Sequence, residues 1–318
     1  MSPTPTREPP VPMPEEFLEL ARGVNNWGRW GEDDERGTLN LITPEVVQRA
    51  AASVRRGAAF PLAMALSENG PQVGLIPGRG NPERSMIAVN QPLGRDPTAF
   101  ASSDDLVTMG LQAATHWDAL AHVTYEDRLY NGFPASSTTA AGASRCGIDK
   151  VGVVVSRGVL LDVARARGVD RLEPGYAITA EDLDAAEELA RVDVGAGDIV
   201  LVRTGQVQLL TEDDRSAYAF PSPGLSLQTV PWLHARDVAA VACDNLTLEV
   251  FPGERRGLLL PVHLLHLVEM GLTQGQNWDL EWLAADCADD GVYAFLLEAT
   301  PEPFAGALGA PVAPVAIK

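Results

Sequence analysis

The chain has 318 residues, of which 46% are apolar and 21% charged, and its formal net charge is −19. This composition is typical of a folded globular protein and excludes a disordered or fibrous chain. The negative charge would repel nucleic-acid phosphates and anionic lipid, so it argues against nucleic-acid and membrane partners. The length fits one large domain, and no Pro-, Gly- or Ser-rich linker divides the chain.

The N-terminal residues are rich in proline and lack the apolar stretch of a signal peptide. We therefore predict a flexible arm over residues 1–14 and a single folded domain over residues 15–318. The three cysteines, Cys146, Cys243 and Cys287, are odd in number and far apart. That usage is typical of free thiols in a reducing cytoplasm, and we expect a cytoplasmic protein.

Apolar periodicity predicts helices and strands that alternate along the chain. In chain order these are a helix at 44–56, a strand at 151–163, a helix at 179–192, strands at 197–205 and 238–245, a helix at 261–271 and a strand at 292–300. Thr43 is the expected N-cap of the first helix, and Thr179 with Asp182 comes close to a capping box. The pattern predicts an α/β domain with a central mixed sheet and flanking helices.

The densest polar feature is the segment QAATHWDALAH, residues 112–122. His116 and Asp118 are two residues apart, so on an extended strand both side chains point to the same face. His122 follows four residues later. Imidazole nitrogen and carboxylate oxygen are ligands that Zn²⁺, Mn²⁺ and Fe²⁺ select, so the segment indicates a metal site. The alternative is a satisfied buried histidine or a cap, because a His-x-Asp pair alone is a weak signal.

The string ATHWDALAH resembles the HxGTHxDxPxH signature of the cyclase-like metal-dependent hydrolases, the family of bacterial kynurenine formamidase and isatin hydrolase. Further segments resemble that family in the same order and extend the resemblance over most of the chain. They are residues 27–43, 128–134, 157–164, 197–205 and 275–318. The resemblance implies a swivelling β/β/α fold, a homodimer or homotetramer, and an enzyme that acts on a small molecule.

The resemblance also implies a site with one divalent metal, held by His116, Asp118 and Gln276. Two departures from the family pattern point to a single ion. Gln112 replaces the first histidine of the signature, and Gln276 stands where members with two metals have a glutamate. A neutral carbonyl ligand suits a hard octahedral ion, so Mn²⁺ is favoured over Zn²⁺.

His122 matches the last histidine of the signature, which is the proton-transfer residue in the family. His263 resembles the family histidine that precedes the late Glu or Gln ligand, so it is a second acid–base candidate or a further ligand. His266 is expected to be structural. The resemblance places Trp27, Trp117 and Tyr130 as the walls of a pocket for a planar or cyclic substrate, although Trp27 could equally anchor the N-terminal segment to the core.

The function implied is metal-dependent hydrolysis of a cyclic amide, imide, lactone or N-formyl amide. Two alternatives stay open: a metal-dependent lyase or cyclase, and a non-catalytic binding protein with a degenerate metal site. The chain has no GxSxG elbow and no phosphate-binding P-loop. The Gly-rich segment 74–85 is expected to be an exposed loop that covers the site or a neighbouring subunit. The acidic runs 33–35 and 289–290 are expected to be solvated turns.

Overall fold

A curled mixed sheet of nine strands forms the centre of a single-domain α/β structure. The computed structural model describes residues 13–255 and 257–318, so most of the arm predicted at residues 1–14 lies outside the described residues. The strands in chain order are β1 (Ala59–Pro61), β2 (Glu83–Pro92), β3 (Ala101–Thr108), β4 (His116–Asp118), β5 (Thr138–Thr139), β6 (Gly142–Ala143), β7 (Val155–Asp162), β8 (Ala177–Ile178), β9 (Ile199–Arg203), β10 (Gly224–Leu225), β11 (Ala240–Cys243), β12 (Thr273–Gln276), β13 (Ala294–Glu298), β14 (Gly309–Pro311) and β15 (Val315–Ile317).

Helices cover both faces of this sheet. They are α1 (Glu15–Val24), α2 (Pro44–Ala52), α3 (Val163–Ala166), α4 (Ala180–Ala190), α5 (Gln208–Thr211), α6 (Arg215–Ala219), α7 (Thr229–Ala235), α8 (Pro261–His263) and α9 (Glu281–Asp290), and a π-helix (Leu264–Met270) continues α8. No helix in the described part of the chain is long and apolar enough to cross a membrane. The predicted α/β fold with a mixed sheet and flanking helices is therefore confirmed.

The order of the sheet is β1-β15-β13-β7-β9-β11-β12-β4-β14. Its centre, β7-β9-β11-β12, is parallel, and the strands on both sides of the centre pair antiparallel. Parallel strands are covered on both faces, which explains why the first four residues of β9 are continuously apolar instead of alternating. Ile199 and Leu201 point into one core layer, and Val200 and Val202 into the other.

The predicted strands at 151–163, 197–205, 238–245 and 292–300 are confirmed as β7, β9, β11 and β13. The first predicted helix is α2, where the Thr43 side chain caps the Val46 amide. The second is α4, with a complete capping box between Thr179 and Asp182. The third departs from expectation, because a π-helix replaces a regular α-helix after His263.

The acidic runs also depart from expectation. Asp33 is solvated, but Asp34 accepts hydrogen bonds from the Tyr130 hydroxyl and the Gly37 amide. Glu35 accepts from the Cys146 amide and from Arg145. The prediction of solvated turns is therefore wrong for Asp34 and Glu35, because tertiary contacts supply donors that the local sequence does not show.

Candidate active site

Strand β4 carries the His-x-Asp pair and lies between β12 and β14. In this register His116 faces Gln276 of β12 and Asp118 faces Gly309 of β14. Strand alternation sends His116 and Asp118 to one face of the sheet and Trp117 to the other. Residues directly opposite on neighbouring antiparallel strands share a face, so Gln276 joins the pair. The predicted shared face of His116 and Asp118 is confirmed.

Three histidines surround the Asp118 carboxylate. Nε2 of His116 lies 3.4 Å from Oδ1 of Asp118, and Nε2 of His122 lies 3.8 Å from the same oxygen. Nε2 of His263 lies 3.9 Å from Oδ2. His116, Asp118 and His263 are almost fully buried, whereas the His122 side chain is 21% exposed. His122 is therefore the member of this cluster that solvent reaches most easily.

Hydrogen bonds at the far nitrogen orient two of these imidazoles. Nδ1 of His116 lies 2.7 Å from the carbonyl oxygen of Ala114, which can only accept, so Nδ1 carries a proton and Nε2 faces Asp118. Nδ1 of His263 lies 2.5 Å from Oε1 of Glu249, which also accepts from the amide of His263. Sequence reasoning missed Glu249, because fourteen residues separate it from His263 and no motif links them.

The second oxygen of Asp118 is occupied by two amides. Nε2 of Gln276 donates to Oδ2 of Asp118 over 2.8 Å, and Nε2 of Gln274 donates over 3.2 Å. Oε1 of Gln274 in turn accepts from Nδ1 of His266 at 3.1 Å. Gln274 was also missed, although its position two residues before Gln276 on one strand was a usable signal.

Burial and charge set the protonation of the cluster. Burial opposes ionisation of Asp118, but the neighbouring His122 and His116 hold the pKa of its carboxyl well below the usual range. Burial lowers the pKa of His122 against the pull of Asp118. Burial also acts against the charged form of His263, yet the Glu249 hydrogen bond and charge outweigh it and raise the pKa of His263. Burial lowers the pKa of His266 to about 3, so His266 is neutral and suits the structural role expected for it.

The cluster offers donor atoms of the kinds that divalent cations bind, although not yet in a ligating arrangement. Oδ1 of Asp118 is buried with no hydrogen-bond partner among the described residues, while the imidazole nitrogens of His116 and His122 approach it. A bare carboxylate oxygen beside a nitrogen lone pair is unfavourable unless a cation or proton lies between them. As placed, no group of three or more His, Cys, Asp and Glu side chains within residues 13–255 and 257–318 is arranged to hold a metal. Gln276 presents its amide nitrogen to Asp118. It would bind a metal ion only after the side-chain amide flips, so that Oε1 takes the place of Nε2.

The predicted aromatic residues lie outside this cluster. Trp117 is fully buried on the opposite face of β4, where it packs edge-to-face on Trp278 and donates to the Ala299 carbonyl. Tyr130 is buried with its hydroxyl on Asp34. Trp27 donates to the Val268 carbonyl in the π-helix, which matches the anchoring alternative. The structure therefore brings His116, Asp118, His122, His263 and Gln276 together, but not Trp27, Trp117 and Tyr130.

The fold and this cluster define an α/β protein with a candidate metal centre on the antiparallel side of its sheet. The profile of the family described as "Putative cyclase" matches residues 41–250, which is more than half of the chain. A crystal structure described as that of a novel cyclase is 39% identical, with 94% of this chain and 99% of that chain covered and a TM-score of 0.86. The chain belongs to the cyclase family, and the resemblance inferred from its motifs is confirmed.

More distant solved structures share the fold. Isatin hydrolase A from Ralstonia solanacearum is 21% identical, with 86% of this chain and 97% of that chain covered and a TM-score of 0.62. An isatin hydrolase bound to the product analogue thioisatinate is 18% identical, with coverages of 82% and 92% and a TM-score of 0.59. A structure described as a potential metal-dependent hydrolase with cyclase activity is 16% identical, with coverages of 82% and 98% and a TM-score of 0.52. No curated protein matches the chain.

Proposed function

We propose that this protein is a metal-dependent hydrolase that cleaves a C–N or C–O bond in a cyclic amide, imide, lactone or N-formyl amide. The observation that carries the proposal is the bare Oδ1 of Asp118, which is buried and faces the side-chain nitrogens of His116 and His122. The fold shared with isatin hydrolases supports a planar or cyclic substrate as part of the same proposal.

His116, Asp118 and Gln276 would hold one divalent ion, with Mn²⁺ favoured over Zn²⁺. Once bound, such an ion supplies Lewis acidity that polarises a carbonyl and acidifies water. Gln276 lies opposite His116 on β12 and already touches Asp118, so turning its amide would direct a neutral oxygen ligand into the cluster. A carboxylate, an imidazole and a carbonyl form a mixed donor set that suits Mn²⁺.

His122 would act as the general base and then as the general acid. Because burial lowers its pKa, the imidazole is neutral near pH 7 and its Nε2 can accept a proton from the attacking water. The same nitrogen would return the proton to the leaving nitrogen or oxygen. The partial exposure of His122 gives water and substrate a path to this group.

His263 would support the reaction as a second acid–base group. Glu249 fixes its ring through Nδ1, so Nε2 points at Asp118 in a defined orientation. A carboxylate that holds one imidazole nitrogen favours the protonated ring and sets its tautomer. His263 can therefore stabilise negative charge that develops beside Asp118.

The test is turnover of a panel of N-formyl amides, imides and lactones with Mn²⁺ present. We expect His122→Ala to lower kcat by about 10²–10⁴-fold, the usual value of a positioned acid–base group. His234→Ala is the matched control, since His234 lies on α7 outside the cluster, and it should turn over at the wild-type rate. Wild-type turnover by His122→Ala would reject the assignment.

Two further measurements separate the competing functions. In H₂¹⁸O, hydrolysis places one ¹⁸O atom in the product, whereas a lyase or cyclase places none. Metal analysis of protein purified without chelator separates both from a binding protein with a degenerate site, which would contain no stoichiometric Mn or Zn.

We also propose a cytoplasmic homo-oligomer. Its three described cysteines are free thiols, which suits a reducing compartment. The ribbon formed by β2 and β3 carries a concentration of exposed large apolar side chains, namely Met86, Ile87, Val89, Leu93, Phe100, Leu106 and Val107. An isolated two-stranded ribbon is marginally stable, so a second copy of the chain would both cover and support it.

A further inference from the structure

A closed loop, residues 70–81, lies against the segment that leads into β4. The Gln72 amide donates to Oδ1 of Asn81 over 2.8 Å, and Nδ2 of Asn81 donates back to the Gln72 carbonyl over 2.9 Å. The Gln72 side chain also donates to the carbonyl of buried Ala113 over 2.8 Å. A loop whose ends meet and whose base is hydrogen-bonded to the body is an Ω-loop in a defined position. Ala113 is three residues before His116, so this loop is attached next to the candidate active site.

A turn within the loop presents Arg79. The Arg79 amide donates to the Ile76 carbonyl over 3.1 Å, and Gly78 between them has a φ of +78°. Pro77 and Gly78 occupy the second and third positions that a type II turn favours. The stem of Arg79 packs on Gly110, since a Cβ added to Gly110 would lie 3.3 Å from Cγ of Arg79. The turn and this contact together fix where the side chain begins.

The guanidinium of Arg79 has no ion-pair partner within salt-bridge distance among the described residues. It is half-buried, and neither a hydrogen bond nor a salt bridge reaches it from the described residues. Burial lowers the pKa of Arg79 while the charge of Asp118 opposes the shift, and the Arg79 charge also acts on His122 and His263. A guanidinium has five donors and stays protonated, so withdrawing it from water without acceptors costs free energy. A guanidinium without a protein partner, on a loop that contacts Ala113 and Gly110 just before β4, is suited to an anionic ligand.

We propose that Arg79 binds a carboxylate group of the ligand in the active site. This inference rests on the proposed function, because hydrolysis of an amide, imide or lactone adds water across the bond and releases a carboxylate. A guanidinium fork matches a carboxylate with two parallel hydrogen bonds. The carboxylate belongs either to the substrate itself or to the product that hydrolysis forms, and Arg79 serves the same chemistry in both cases.

Direct binding tests the residue without turnover. Isothermal titration of the Mn²⁺-saturated protein with benzoate, and with neutral benzamide, should show that the wild type prefers benzoate. Arg79→Met should weaken benzoate binding at least tenfold and leave benzamide unchanged, and Arg79→Lys should restore part of the preference. Arg22→Met is the matched control, because Arg22 is exposed on α1 beside Glu15. Equal benzoate affinity for wild type and Arg79→Met, or no preference for benzoate in the wild type, overturns the proposal.

Kinetics with any substrate found in the panel identifies the source of the carboxylate. If the substrate carries it, Arg79→Met raises KM for the acid and not for its amide analogue. If the product carries it, Arg79→Met raises the inhibition constant of the product at unchanged KM. If neither constant moves, Arg79 has no such role. Failure of the proposed function would be distinct, since the wild type would then hydrolyse nothing in the panel while benzoate binding would still report on Arg79.

Discussion

Asp118 is held asymmetrically, and that asymmetry is central to the chemistry of the site. One oxygen accepts from the amides of Gln274 and Gln276, while the other has no hydrogen-bond partner in the described chain. Buried carboxylate oxygens are seldom left bare, because desolvation without a partner is costly. The satisfied oxygen fixes the orientation of the carboxylate and leaves the other free to bind a cation.

Replacing Gln276 by glutamate tests this interpretation. In Gln276→Glu a second carboxylate would face Asp118 where an amide now donates, so the metal-free protein should lose about 1–3 kcal/mol of stability. With Mn²⁺ bound the added charge becomes favourable. We therefore expect a larger Mn²⁺-induced rise in Tm than in the wild type, measured by calorimetry with EDTA and with Mn²⁺.

Gln48→Glu on the exposed face of α2 is the control for the added charge and should leave both Tm values unchanged. If Gln276→Glu destabilises the protein equally with and without Mn²⁺, Gln276 does not face the metal.

At the scale of single residues, the spacing in the sequence was informative only over short distances. His116, Asp118 and His122 lie within seven residues, and strand alternation is enough to place the first two on one face. Glu249 and Gln274 join the site from other elements, so their roles depend on how those elements pack. The position of Trp117 was predictable from the same alternation, which sends it away from its two neighbours.

The helix that carries His263 and His266 shows what element-scale patterns omit. Its apolar periodicity predicted a regular helix, but the hydrogen bonds after His263 widen into a π-helix that ends at Gly271. The π-helix places His263 against Glu249 and His266 against Gln274. π-Segments are frequent at functional sites, and nothing in the local sequence distinguishes one from an α-helix.

A substitution at Gly271 tests how the π-helix ends. Its φ is +64°, and an added Cβ would lie 2.5 Å from the Tyr130 ring. Gly291 ends α9 with a φ of +72° and open space around it, so it is a matched control. Gly291→Ala should cost about 1–2 kcal/mol for the left-handed backbone alone. Gly271→Ala should cost clearly more, measured by urea unfolding, and equal costs would show that the Tyr130 contact relaxes freely.

Lys318 joins β15 to α9 through two carboxylates. Its Nζ lies 2.7 Å from Asp286 and 2.7 Å from Asp290, and its side chain is 2% exposed. Although burial opposes ionisation, hydrogen bonds from Lys318 lower the pKa of both Asp286 and Asp290. A carboxyl whose pKa is lower in the folded than in the unfolded chain stabilises the folded state at pH values above its unfolded pKa, which is about 4. That stabilisation is lost as the pH falls through the lowered pKa.

Lys318→Met should therefore destabilise the protein by about 1–2 kcal/mol at pH 7, and the difference from wild type should vanish as the pH falls below about 4. Urea unfolding at a series of pH values measures it. Lys150→Met removes the more exposed pair with Asp149 and should cost less. A difference that persists unchanged at acid pH would mean that the packing of the Lys318 stem, not its charge, is responsible.

At the scale of the whole molecule, the β2–β3 ribbon is the clearest unpartnered surface. Ile87 and Val89 are 68% and 64% exposed on β2, and Phe100, just before β3, is 59% exposed. Apolar side chains concentrated in this way are typical of an interface.

The double variant Ile87→Ser, Val89→Ser should shift the protein toward monomer, measured by light scattering after size exclusion. Val153→Ser is the control, since Val153 is equally exposed outside the ribbon. A wild type that is monomeric at micromolar concentration would contradict the proposed oligomer. An unchanged oligomer in the double variant would show that the interface lies outside the ribbon.

The sequence by itself determined the fold class, the central strands, the capping of α4 and the face shared by His116 and Asp118, because these follow from sequence patterns that span only a few residues. Its motifs also identified the family. Only the tertiary structure decided which distant side chains complete the cluster, that Asp34 and Glu35 are half-buried and hydrogen-bonded, and that Arg79 has no protein partner among the described residues. Those features depend on the register of β4 with β12 and on the fold of an Ω-loop. Local patterns cannot specify them, because the groups that meet are far apart in the chain.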